Sequence, residues 1–185
     1  REFLQDTLTR YVTKQVVEKI LKDPTKIKLD GEEREATILF TDIRGFTGLV
    51  EDMVPEELVK LLRAYFILMV GTVFQYSGTL DKFIGDSIMA VFGAPVDCLN
   101  HPEQAVLAAI EMKNLLETFN EIRLEKGSKS LNIGIGICTG KVIVGNLGSP
   151  ERFEYTAIGD AVNLASRVEG VNKKYGTYIL VTKST

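Results

Sequence analysis

The strongest constraint on this chain is a pair of short apolar runs, residues 79–84 and 87–92, separated only by Gly85-Asp86. A two-residue break with glycine first suits the tight reverse turns whose twist matches two paired strands, so the runs form an antiparallel hairpin. A hairpin is not stable by itself and must be extended by further strands or covered by helices.

The flanking segments supply both. Residues 36–42 (ATILFTD) read as a buried strand, and a helical pattern restarts after Pro55 and runs to residue 76, where Ser77-Gly78 stops it. Asn100 and Pro102 open a helix reaching about residue 125, followed by a polar loop over 126–130. Residues 131–138 and 142–146 read as a second strand pair around Thr139-Gly140-Lys141; 161–175 is helical and 178–182 is a last strand. The order is that of an α+β protein, a ferredoxin-like βαββαβ core whose mostly antiparallel sheet is flanked by helices.

Ahead of that core, Phe3, Leu4, Leu8, Tyr11, Val12, Val16, Ile20 and Leu21 recur at three- and four-residue spacing, the stripe of an amphipathic helix that Asp23-Pro24 ends. Residues 1–30 are therefore read as an N-terminal helix and linker, with the polar stretch 30–35 leading into a core domain over 31–185. The stripe needs a partner, which is either a second copy or the domain itself. The absence of an initial Met suggests a piece of something longer.

With 185 residues, 45% of them apolar, the chain has material for one sizeable core. A net charge of −3 gives no pull toward nucleic acid or anionic membrane, so phosphate chemistry has to come from a few placed groups. Cys98 and Cys138 lack metal-ligand spacing, and no apolar run is long enough to cross a bilayer. His101, before Pro102 at a helix start, reads as a capping or surface residue.

Two aspartates stand where an apolar strand meets a turn: Asp42 in FTDIRGFT and Asp86 in KFIGDSIMAVFG. If their strands are neighbours, both carboxylates reach one sheet edge and can share divalent cations. Asp is also common in turns for local reasons, so the pair alone leaves that question open. After Asp42, Gly45, Phe46 and Thr47 lead into a helix whose first N–H groups offer an anion site. There is no GxxxxGK[ST] loop, and the glycines at 134, 136 and 140 miss the dinucleotide-binding spacing.

Four blocks, FTDIRGFT, DKFIGDSIMAVFGAP, GICTGKVIVGNLGS and YTAIGDAVNLASRVE, resemble the signature segments of class III nucleotide cyclase catalytic domains, in the family's order and spanning residues 37–169. The resemblance implies Asp42 and Asp86 as metal carboxylates, the backbone carbonyl of Ile43 as a further ligand, and two divalent cations, Mg²⁺ or Mn²⁺, per site. It implies Asn163 as the residue that positions the ribose and Arg167 as the one that stabilises charge on the phosphate. Gly45, Phe46 and Thr47 would lie along the triphosphate, Lys141 would reach its outer phosphates, and Lys82 and Thr156 would read the base. A Lys donor and a hydroxyl that accepts suit adenine N1 and N6, which makes ATP the expected substrate and GTP the alternative. Thr at the second base position is similar to a subset of bacterial and bicarbonate-responsive cyclases.

In the family the site lies between two subunits, so the resemblance implies a homodimer with two equivalent sites. The N-terminal stripe suggests a relay from an upstream sensor or membrane segment in the whole protein, the expected substrate and the thiols suggest a cytoplasmic catalytic domain whether or not that protein is membrane-anchored, and the lack of a basic face and of exposed aromatics speaks against a nucleic-acid partner. The chain ends before the strands that in the family supply another phosphate-binding Lys. A catalytically inactive cyclase-fold module is the competing class; a diguanylate cyclase is disfavoured because the hairpin reads Ile84-Gly85-Asp86-Ser87 rather than GG[DE]EF.

Overall fold

A computed structural model describes residues 31–51, 53–149 and 151–185. The expected helix over residues 3–21 lies outside the described residues. The elements, in order, are β1 (Gly31–Ile43), α1 (Phe46–Glu51), α2 (Pro55–Gln75), β2 (Gly78–Ile84), β3 (Ser87–Phe92), α3 (His101–Glu125), β4 (Ile133–Ser149), β5 (Arg152–Ile158), α4 (Asp160–Tyr175) and β6 (Ile179–Val181). The sheet order is β2-β3-β1-β4-β5, with β6 joined parallel to β4 and every other pairing antiparallel. The expected βαββαβ core is present in β1, α2, β2, β3, α3 and β4.

Alternation along β1 divides the core. Leu39 and Ile43 face one side, where Leu61, Tyr65, Met69 and Val73 of α2 and Ala105, Ala109, Met112 and Leu116 of α3 cover them. Ala36, Ile38 and Phe40 face the other side, against Ala161 and Ala165 of α4 and Val142, Val144 and Ala157 of the β4–β5 ribbon. Pro55 and Pro102 fall in the first turns of α2 and α3, where no N–H is required, and Gly176 ends α4 in the left-handed conformation (φ 64°).

Three local expectations are corrected. Residues 31–35 are not linker but the first part of β1, because β4 pairs with β1 continuously from Gly31↔Gly145 to Ile43↔Ile133. For the same reason Thr139-Gly140-Lys141 is not a turn; it lies within the single strand β4, and the hairpin forms further on, between β4 and the unforeseen β5. His101 is buried rather than superficial, its Nδ1 2.7 Å from the Thr37 hydroxyl, which in turn lies 2.8 Å from that of Thr139. Among the described residues no helix is long and apolar enough to cross a membrane.

Candidate active site

Asp42 stands one residue before the end of β1, and Asp86 is the second residue of the β2–β3 turn, which Gly85 makes possible at φ +65°. The antiparallel pairing of β1 with β3, through Thr41↔Ile88, sets this turn beside the end of β1. The Ile43 N–H donates to Asp86 Oδ2 (3.2 Å), and the Ser87 hydroxyl donates to Asp42 Oδ1 (2.7 Å). Partial burial and the adjacent Asp42 carboxyl push Asp86 up to about 6. Glu169 of α4 is also raised, first by burial and then by Asp42, with Arg44 opposing.

The donor chemistry fits a hard divalent cation, since two carboxylates that resist sharing negative charge are both relieved by one. Among the described residues no group of three or more His, Cys, Asp or Glu side chains could hold a metal. A cation here would therefore draw on backbone, water or substrate oxygens as well, which is usual for Mg²⁺.

Gly45 (φ +68°) turns the chain into α1, leaving Gly45 and Thr47 exposed and Phe46 half-buried. Arg44 fastens this turn to the rest of the fold. Its N–H donates to the Asn132 carbonyl (2.7 Å), its guanidinium donates to the Thr177 carbonyl, and the guanidinium lies 5.1 Å from the centre of the Tyr178 ring.

Lys82 and Thr156 are 74 positions apart and lie on the two opposite edge strands, β2 and β5, yet both approach the same side chain. The sheet curls until its edges touch, and the residue between them is Asp81. A register shift between Leu80 and Lys82 leaves Asp81 as a bulge, with no partner on β3. Its side chain is 3% exposed. It accepts the Thr156 hydroxyl (2.8 and 2.9 Å to its two oxygens) and the Ala157 N–H (3.1 Å), and Lys82 Nζ lies 3.7 Å away. Lys82 Nζ also pairs with Glu154 at 2.5 Å. Burial raises the Asp81 carboxyl, with Thr156 and Ala157 opposing. Sequence reasoning missed Asp81; the available signal was a second charge beside Lys82 within a strand.

Asn163 and Arg167 project from α4 four residues apart, both exposed, and neither has a polar partner among the described residues. The helix carrying them lies directly on β4. A Cβ at Gly136 would stand 2.2 Å from the Glu169 nitrogen and 2.4 Å from the Ala165 oxygen. Asn172, fully buried, joins the same two elements by donating to the Ile135 carbonyl (2.9 Å) while its Oδ1 accepts the Thr177 hydroxyl (3.0 Å).

Lys141 is not brought to the carboxylate pair. It pairs in register with Glu35, seven residues before Asp42; at about 3.3 Å per residue this is roughly 23 Å along the strand. Its ammonium is 2.8 Å from Glu33 Oε1, and Glu33 and Glu35 are the carboxylates acting on it. Within one chain, Lys141 therefore stands apart from the Asp42–Asp86 pair.

Residues 30–185 match the model of the adenylate and guanylate cyclase catalytic domain. The chain belongs to that family. Adenylate cyclase 1 of Rhizobium meliloti (strain 1021) is 40% identical over 176 residues, which is 95% of this chain and 26% of the relative. An adenylate cyclase of Anabaena cylindrica is 43% identical over 156 residues, covering 82% of this chain and 30% of the relative. The chain thus spans between a quarter and a third of these relatives' length. Among solved structures, the adenylyl cyclase CyaB from P. aeruginosa superposes with a TM-score of 0.76 at 36% identity, over 84% of this chain and 80% of the other. The guanylyl cyclase Cya2 gives 0.72 at 42% identity, over 76% and 72%.

Proposed function

We propose that this chain is the catalytic domain of an adenylyl cyclase, converting ATP to 3′,5′-cyclic AMP and pyrophosphate at a site shared by two copies of the chain. The observation that carries the reading is the Asp42–Asp86 pair, two carboxylates held beside one another at the positions that match the family's metal ligands. In the reaction the ribose 3′-oxygen attacks the α-phosphate in line, its proton is lost, and the bond to the departing pyrophosphate breaks. Divalent cations, when bound, lower the pKa of the attacking hydroxyl and offset the charge of the triphosphate.

Asp42, Asp86 and the Ile43 carbonyl hold those cations, and Gly45, Phe46 and Thr47 line the triphosphate with backbone N–H groups. Lys82 donates to adenine N1 and Thr156 accepts from N6. Asn163 orients the ribose. Arg167, always charged and rigidly forked, stabilises the charge that builds on the phosphate.

Asn163 and Arg167, exposed and without a polar partner among the described residues, support completion of the site by a second copy. So does Ile143 paired in register with Ile158, the two 44% and 48% exposed, an apolar pair on the β4–β5 ribbon. Residues 31–185 act as the cytoplasmic catalytic unit, and residues 1–30 transmit a signal from an upstream sensor or membrane segment. Guanylyl cyclase activity is the second reading, favoured by the likeness to Cya2.

The test is cyclic-nucleotide formation from ATP and GTP with Mg²⁺ and with Mn²⁺, across protein concentrations, with Asp42→Ala as the blank. Cyclic AMP rising faster than linearly with protein supports the proposal. Predominant cyclic GMP transfers it to the second reading, and no product with either substrate refutes it.

A further inference from the structure

Thr156 by itself does not distinguish adenine from guanine, because a hydroxyl both donates and accepts. Facing the 6-position of a purine it could take a hydrogen bond from the amino group of adenine or give one to the carbonyl of guanine. Something has to fix the direction of its proton. The neighbour that can do so is Asp81, whose carboxylate accepts and does not donate.

We propose that Asp81 is a specificity-determining residue, which commits the Thr156 proton to its own carboxylate and so presents only lone pairs to the base. The assignment rests on the reading of Lys82 and Thr156 as base-facing. Four observations carry it. The Asp81 side chain is 3% exposed, so bulk water does not compete for the hydroxyl. Both of its oxygens lie within 2.9 Å of Thr156 Oγ1. The Ala157 N–H, 3.1 Å from Oδ2, fixes the plane of the carboxylate. The β2 bulge turns Asp81 toward β5, where a regular strand would have paired it with β3.

Lys82 and Thr156 then form a matched reader. The Lys82 ammonium offers only donors, suited to the N1 acceptor of adenine; Thr156 offers only an acceptor, suited to the N6 donor. Guanine meets both with the wrong polarity, donor against donor at N1 and acceptor against acceptor at position 6. Asp81 does not touch the nucleotide. It acts through Thr156, and its Oδ1 also lies 3.7 Å from Lys82 Nζ, so one carboxylate borders both base-facing groups.

The experiment compares kcat/KM for ATP and GTP in the wild type, Asp81→Asn, Thr156→Val and the double variant. In Asp81→Asn the amide N–H₂ can donate to Thr156 and release its proton toward the base. The ATP-over-GTP ratio should fall roughly tenfold, the worth of about one hydrogen bond of wrong polarity. On the Thr156→Val background the same change should leave the ratio where it was, because the hydroxyl it acts through is gone. A folded Asp81→Asn that loses activity equally on both substrates makes Asp81 merely structural and overturns the proposal.

A second measurement uses the wild type alone, should Asp81→Asn not fold. N6-methyl-ATP and the 6-methoxypurine analogue carry the same methyl and the same N1 acceptor but present a donor and an acceptor, respectively, at position 6. The N6-methyl substrate should be used about tenfold better; equal use overturns the proposal. A wild type that prefers GTP, or cyclises neither nucleotide, removes the substrate reading and this assignment together. A wild type that prefers ATP while Asp81→Asn prefers it by the same margin removes this assignment alone.

Discussion

Replacing Gly136 with Ala tests whether the seating of α4 on β4 governs the site. The added methyl would stand 2.2 Å from the Glu169 nitrogen, 2.4 Å from the Ala165 oxygen and 2.7 Å from the Glu169 Cα, where ordinary contact begins near 3.4 Å. All three are backbone atoms, so no rotamer change relieves the clash and the helix has to retreat by about 1 Å, the difference between 2.4 and 3.4 Å. Overpacking of this kind costs about 1–3 kcal/mol, which for a domain of this size is a fall in Tm of roughly 3–10 °C. Asn163 and Arg167 ride on the displaced helix, and a misplacement of ~1 Å lowers turnover about a hundredfold. The control is Gly170→Ala in the same helix, where a Cβ meets nothing within 4 Å; helix propensity there adds about 0.5–1 kcal/mol and activity is kept. Calorimetry and cyclic AMP formation at saturating ATP give both readouts. A Gly136→Ala chain with the wild-type Tm and rate, or a Gly170→Ala chain damaged as badly, would refute the reasoning.

The carboxylate pair predicts a pH-dependent metal effect. Asp86 titrates near 6 in the fold against 3.8 as an isolated group, so the folded form holds its proton more tightly; its stabilising contribution is complete below pH 3.8 and is lost as pH rises through 6. The rise in Tm on adding Mg²⁺ or Mn²⁺ should therefore be larger near pH 7.5 than near pH 5, and should vanish in Asp86→Asn at both. His101 has the opposite sign: burial lowers its pKa, so protonation favours the unfolded chain and its stabilising effect is lost as pH falls below 6.5. Chemical denaturation should give a smaller loss of stability between about pH 7 and pH 5.5 in His101→Gln than in the wild type.

How far the sequence could be read depended on whether an element declares itself locally. The β2–β3 hairpin did, because Gly85-Asp86 interrupts two apolar runs, and so did α2 and α3 through Pro55 and Pro102. The first part of β1 did not, since Gly31-Glu32-Glu33-Arg34-Glu35 is polar and becomes strand only by pairing with 141–145 of β4. Gly140 within β4 looked like a turn residue, whereas its missing side chain accommodates Ala161 of α4, 3.1 Å from where a Cβ would lie. In the site, Asp42 and Asp86 were legible because each ends a strand at a turn. Asp81 was not, because its role depends on a bulge and on the curling of β2 toward β5, neither of which has a period or a motif. The buried Thr37–His101 and Asn172 contacts are long-range for the same reason. For Lys141 the motif match gives an expected role at the phosphates, and the register adds what the motif could not, its place beside Glu33 and Glu35 within one chain.

The central claim, that each site draws its carboxylates from one copy and Arg167 from the other, is tested most directly by mixing Asp42→Ala and Arg167→Ala chains in equal amounts. Each variant alone should form almost no cyclic AMP. Random pairing makes half the dimers mixed, each with one intact site and one doubly damaged site, so the mixture should recover roughly a quarter of wild-type activity. A mixture as silent as its components, although sedimentation finds mixed dimers, would contradict the shared site.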